Sequence, residues 1–161
     1  MEILILIAIV IAILAWLNSR GKNKWKDNIK SSLLLLPMQD MLSNILTMAV
    51  RKNHNMPYIT QDNLCMSVIE TVLMYIVINS KGNQGLNSTF RDIRNICTII
   101  CNDKVLILML YASYGKICDA ALEVGIEGDF DKLPIDEFVA RLSQFQLGLN
   151  NITSEQYFGT N

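Results

Sequence analysis

Apolar positions along the chain fall into two patterns. Residues 3–17, ILILIAIVIAILAWL, are apolar without a break, whereas farther on apolar residues recur at helical spacing between polar ones. An unbroken run leaves no side of a helix for water, so it predicts a helix solvated by lipid. At about 1.5 Å per residue it spans roughly 22 Å, short of a hydrocarbon core of about 30 Å. Local bilayer thinning, snorkelling of flanking cations or association of several short helices would each absorb the difference.

The periodic part begins with Ser31 or Ser32 as the cap of a short turn, SLLLLP, which Pro37 interrupts. Met38, Met41, Leu42, Ile45, Leu46 and Ala49 then share one helical face. From 62 to 79 the stripe Leu64, Val68, Ile69, Val72, Leu73 and Ile76, widened by Met66, Met74 and Val77, predicts a central helix. Ser67, Glu70 and Thr71 interrupt it and favour a buried core helix over a second span. After the loop SKGNQGLNS, a cap among Asn87, Ser88 and Thr89 opens a helix through Phe90, Ile93, Cys97 and Ile100. Asn102-Asp103 separates it from KVLILMLYASYGKICDAALEV, which stops at Gly125. Pro134 starts a last helix with Phe138, Leu142 and Phe145 inward and Gly148 at its end. No stretch alternates as a strand would. The expected fold is all-α: a single N-terminal transmembrane helix (1–18), a basic juxtamembrane segment (19–30), a cytoplasmic irregular bundle of about five helices (31–148), and a polar tail (149–161) without periodicity, expected to be mobile or partner-dependent.

Charge orients this arrangement. Arg20, Lys22, Lys24, Lys26 and Lys30 follow the apolar run and no cation precedes it, so the positive-inside bias gives a retained anchor, N-terminus out and bulk of the chain cytoplasmic. Trp16, Arg20, Lys22, Lys24 and Lys26 are the expected contacts with the interface and with anionic headgroups. Ala8, Ala12 and Ala15 share a face at small-residue spacing and suggest a packing seam between copies, hence a homo-oligomer. Residues 31–161 hold nine Lys or Arg against thirteen Asp or Glu. That excess of acid disfavours nucleic acid as a partner.

Chemical motifs are sparse. Cys65, Cys97, Cys101 and Cys118 lie in apolar stretches and read as buried free thiols. His54 is the one histidine, which excludes a multi-histidine metal site within one chain. With Arg51 and Lys52 it could form an anion site, although an exposed polar loop explains the three residues more cheaply. Phosphate-binding glycine loops and nucleophile elbows are absent. Asp129 with Asp131, and Asp136 with Glu137, read as solvated charge, and GDFDKLP departs from a calcium loop after its second acid. No catalytic residue, cofactor or metal is therefore expected.

Arg94-Asn95, on a helix, resembles the first half of the motif of HEPN ribonucleases, which place an Arg, often followed by Asn, four to six residues before a His. Thr98, Ile99, Ile100 and Cys101 stand where that His belongs. The resemblance thus implies, at most, a degenerate relative whose helical domain serves assembly. Arg51, His54, Arg91 and Arg94 remain the candidates for anion or RNA contact, with Arg91 and Arg94 otherwise read as solvent-facing charges. The leading expectation is a non-enzymatic membrane-anchored protein that self-associates or docks a protein partner. An oligomeric membrane pore, in bacterial defence, is the alternative, and a degenerate membrane-tethered ribonuclease is the third.

Overall fold

A computed structural model describes the backbone of residues 2–159 and the side chains of residues 7–159. Seven helices account for it: α1 (Glu2–Leu34), α2 (Met38–Lys52), α3 (Gln61–Lys81), α4 (Leu86–Cys101), α5 (Lys104–Leu122), α6 (Ile135–Asn150) and α7 (Ser154–Phe158). The all-α expectation holds. Among the described residues the only extended pairing is a single parallel bridge between Ile59 and Gly128.

Helix α3 is the hub, packed against α1, α2, α4, α5 and α6. Its Leu64, Val68, Ile69, Val72, Leu73 and Ile76 are fully buried, as the stripe predicts. Thr60 starts it: the Thr60 hydroxyl accepts a hydrogen bond from the Asn63 amide at 3.2 Å. Around it α2 buries Met41, Ile45, Leu46 and Ala49, and α4 buries Phe90, Ile93, Ile96, Cys97 and Ile100. Tyr114 of α5 stacks on Phe138 of α6 with ring centroids 5.3 Å apart. The Tyr111 hydroxyl donates to the Leu133 carbonyl at 2.8 Å. These contacts tie the α5–α6 connection to both helices, and burial pushes the Tyr114 hydroxyl above its ordinary pKa.

The same connection is sewn to the α2–α3 loop. The Ile59 amide donates to the Glu127 carbonyl at 2.9 Å and the Asp129 amide to the Ile59 carbonyl at 2.8 Å. Gly128 sits between these bonds because there is no room for more: a Cβ there would stand 2.8 Å from the Ile59 carbonyl oxygen and from the Phe130 ring.

Several boundaries differ from the sequence expectation. Ser31 and Ser32 start no new turn; α1 runs unbroken through them, and the buried Ser32 hydroxyl accepts from the Asn79 side chain at 3.1 Å. The break falls at Leu35–Pro37, where α1 and α2 bend by 93°. Helix α4 begins at Leu86 behind Gly85, ahead of the three polar cap candidates. Helix α6 continues past Gly148 to Asn150. The polar tail contains α7, closed by a reciprocal capping box between Thr153 and Gln156. Tyr157 of α7 packs on Phe90, centroids 5.4 Å apart. Only residues 160–161 of that tail lie outside the described residues.

Hydropathy also points elsewhere than a single N-terminal span. Helices α3 and α5 are long and apolar enough to cross a membrane, and α1 with α2 meet the same criteria as one bent pair. Half of the apolar window of α3, and 44% of that of α5, is already buried inside the protein. Many of the apolar side chains that raise their hydropathy belong to the bundle core, while Ile78 of α3 and Val105 and Leu108 of α5 are exposed.

Candidate membrane interface

Helix α1 changes character along its length. Trp25, Ile29, Ser32 and Leu33 are spaced i, i+4, i+7 and i+8, so they fall on one face, and that face packs on α3, α4 and α5. Residues 7–24 are exposed throughout. Ile9, Ile11, Leu14 and Leu17 are 51%, 60%, 60% and 52% exposed and point in different directions around the helix. No residue of this segment is buried against the bundle, although Leu17, Asn18, Gly21 and Lys22 at its end line a groove beside α4. Side chains of residues 3–6, the start of the expected span, lie outside the described residues.

Two polar contacts fix the packed part of α1. The Lys26 ammonium meets the Asp103 carboxylate at 2.8 Å. Asp103 is also the cap of α5, accepting from the Val105 and Leu106 amides at 3.0 and 3.3 Å. The hydrogen bond from Lys26 is the main reason that the Asp103 carboxyl titrates below its usual range. On the other side, the Lys81 ammonium lies 4.9 Å from the centroid of the Trp25 ring and 2.9 Å from the Asp92 carboxylate. Lys81 thereby joins α1 to α4 at the C-terminal end of α3.

The expected interface residues separate accordingly. Lys26 faces the bundle in its ion pair rather than lying free for headgroups. Arg20, Lys22 and Lys24 are exposed, and the Arg20 guanidinium stacks 4.2 Å from the centroid of Trp16. Ala8, Ala12 and Ala15 all lie in the exposed segment.

The weaker anion candidates form two separate groups. Arg51 lies in the last turn of α2, and the His54 amide donates to its carbonyl at 3.1 Å. His54 and Asn55 adopt left-handed backbone, φ 54° and 59°. Lys52 is turned to Glu70 at 2.8 Å. Arg91 and Arg94 instead line a cleft on α4 with Asn95, Thr98 and Asn150. Arg94 donates to the Asn150 side chain at 3.2 Å, and the Thr98 hydroxyl accepts from Gln146 at 3.2 Å. The half-motif residues Arg94 and Asn95 thus share a cleft whose lining carries no imidazole, thiol or carboxylate.

The cysteines are free thiols. Burial pushes Cys65 up to about 12 and Cys118 up to about 11, which keeps both uncharged near neutrality. The Cys97 thiol is raised by its hydrogen bond with Cys101 and by burial, and Cys101 is lowered by the same bond. Among the described residues no three His, Cys, Asp or Glu side chains gather as a metal site would require.

Sequence reasoning missed Trp25, Asn95 and Thr98 as part of this region. A glycine in the middle of a helix, Gly21, was the available signal. With Leu17 and Lys22 it lines a groove of about 480 Å³ between α1 and α4. Comparison of the chain with protein-family models, with curated proteins and with solved structures yields no match.

Proposed function

We propose that the chain is a single-pass membrane protein in which the exposed half of α1 enters the bilayer, N-terminus outward, and holds a cytoplasmic helical bundle at the surface as a non-enzymatic assembly or docking module. The observation that carries this reading is the exposure of α1 over residues 7–24, with apolar side chains on every side of residues 7–17. A helix apolar all round needs either a protein shell or lipid, and the bundle supplies no shell. Trp16 and the exposed cations Arg20, Lys22 and Lys24 follow in the order that an interface requires. Self-association through Ala8, Ala12 and Ala15 would relieve the short span.

The test is co-flotation of the full chain with phosphatidylcholine vesicles followed by alkaline extraction. Retention in the extracted membrane, with the bundle digested by protease added from the cytoplasmic side only, is the expected result; a chain that stays at the bottom of the gradient defeats the reading. Mass measurement in lipid discs is expected to give a defined oligomer that weakens when Ala8 and Ala12 become Leu. Unchanged assembly would place the interface in the bundle.

A pore remains the second reading, because several short helices brought together could line one. Aliphatic walls favour dewetting over conduction. Release of a trapped dye from vesicles by the verified oligomer would favour the pore over the scaffold.

A further inference from the structure

We propose that the groove between α1 and α4 is a binding site for the phosphorylated headgroup of an anionic glycerophospholipid, a deepening that rests on the membrane reading above. Leu17, the last residue of the apolar run, lines the outer end of the groove, and Asn18, Gly21 and Lys22 continue it along α1. The opposite wall is Asn95, Thr98 and Ile99 of α4. A headgroup in this groove sits where the apolar segment ends, which lets its acyl chains lie along the aliphatic part of α1.

The polar lining matches a phosphate diester. Asn95 and Thr98 belong also to the neighbouring cleft that holds Arg91 and Arg94, so the two concavities share a wall and place Lys22 on one side and two guanidiniums on the other. None of the residues lining either concavity is acidic. None of the four ion pairs among the described residues uses Lys22, Arg91 or Arg94. Arg side chains and amide donors are the groups that recognise phosphate oxygens by direct hydrogen bonds.

Gly21 lines the groove. A Cβ placed there meets no atom within 4 Å, so no packing contact demands glycine, and glycine is a poor residue for a helix interior. Its missing side chain leaves room beside the α4 wall. Gly21→Leu should fill that room, strengthen the helix and leave every charge in place.

The experiment is native mass spectrometry of the full chain released from detergent after exposure to an equimolar mixture of phosphatidylglycerol and phosphatidylcholine. The expected result is retained phosphatidylglycerol in preference to phosphatidylcholine, with retention reduced about tenfold by Gly21→Leu, equivalent to about 1.4 kcal/mol. Arg91→Gln, at an exposed position, should lower retention while leaving the helical circular dichroism unchanged. Equal retention of the two lipids, or full phosphatidylglycerol retention by Gly21→Leu, overturns the groove. So does loss of the bound lipid to excess soluble glycerol phosphate, which would mark a site for free phosphate esters. Flotation of both variants with neutral vesicles is measured in parallel. A groove that fails while the chain still floats leaves the anchor reading standing, whereas a chain that fails to float removes the anchor itself.

Discussion

Helix α3 and the first half of α1 are both strongly apolar, yet they meet opposite surroundings. In α3 Leu64, Val68, Ile69, Val72, Leu73, Ile76 and Val77 are fully buried and the helix packs on five others, while Ile78 near its end is exposed. In α1 comparable side chains at positions 9, 11, 14 and 17 are half exposed on all sides. The polar residues explain the contrast better than hydropathy does. Three polar residues of α3 have partners in the bundle: Glu70 pairs with Lys52, Asn79 bonds Ser32, and Lys81 pairs with Asp92, whereas the buried Ser67 hydroxyl has none among the described residues. The run 3–17 contains no polar side chain to mark a protein-facing register. Neighbours cover the apolar stripe of α3 and leave the apolar run of α1 uncovered, and the proposed membrane role rests on that difference.

The largest test of the comparison puts the same charge into each helix. Leu73→Asp buries a carboxylate among apolar neighbours and should cost more than about 4 kcal/mol, seen as loss of the cooperative thermal transition. Ile11→Asp should leave the thermal transition of the detergent-solubilised protein within about 0.5 kcal/mol. It should nevertheless release the chain from vesicles, because an acid near the centre of a span costs about 2.5–3.5 kcal/mol. Unfolding by Ile11→Asp would mean that the exposed half of α1 is structural after all.

A smaller effect is expected where the covering of α3 is closed off by loops. Gly128→Ala places its Cβ 2.8 Å from the Ile59 carbonyl, a backbone atom that cannot swing aside. Separation of the α2–α3 loop from the α5–α6 connection should cost about 1–3 kcal/mol in chemical denaturation. Membrane retention should not change, since the substitution is remote from residues 7–24. A neutral Gly128→Ala would show that the bridge at Ile59 contributes nothing to the closure.

The sequence made the helices legible and their relations only partly so. Stripes such as Leu64, Val68 and Val72 identify a face but not the partner for it. The continuation of the basic flank through residues 31–34 as one helix was hidden because Ser31, Ser32 and Pro37 suggest an interruption, whereas Ser32 is satisfied from Asn79, 47 residues away. Lys26 read as a headgroup contact because its partner Asp103 is equally remote in sequence. Helix α7 escaped notice because five residues are too few for periodicity; the T-x-x-Q pair at Thr153 and Gln156 was the visible cue. Gly21 showed a gap in a helix, but the wall facing that gap lies on α4 and emerges only from the tertiary fold.

Acid should loosen the junction where α1 leaves the bundle. Asp92 is buried, which opposes ionisation, but hydrogen bonds from Lys81 and Gln84 outweigh burial and hold its carboxyl below the ordinary value of 3.8. A carboxyl with a depressed folded pKa contributes stability that is present above the unfolded value and lost as pH falls through the folded one. Thermal stability should therefore decline below about pH 4. Asp92→Ala should remove part of that acid dependence and cost about 1–3 kcal/mol near neutrality. Because Lys81 also covers Trp25, Trp25 fluorescence should shift over the same acid range. An unchanged Trp25 signal would separate the Asp92 pair from the α1 attachment.

The smallest expected effect concerns the one charged residue in the middle of α3. Glu70 is covered by Lys52, by the α6–α7 segment and by Tyr157, whose hydroxyl burial pushes above its ordinary pKa, helped by the Glu70 charge. Helix α7 thus completes the cover that lets a polar residue sit within the central helix. Thr153→Ala removes the half of the capping box in which the Thr153 hydroxyl accepts from the Gln156 amide, leaves the half donated by the residue-153 backbone amide to the Gln156 side chain, and should cost about 1 kcal/mol. With only Ser154–Phe158 to unwind, the loss is expected as faster hydrogen exchange in α7 and readier cleavage near Tyr157, with little change in the midpoint of global unfolding. A fall in that midpoint as large as the Gly128→Ala effect would instead make α7 part of the cooperative core, and α3 would then depend on the chain's last helix as much as on its first packed one.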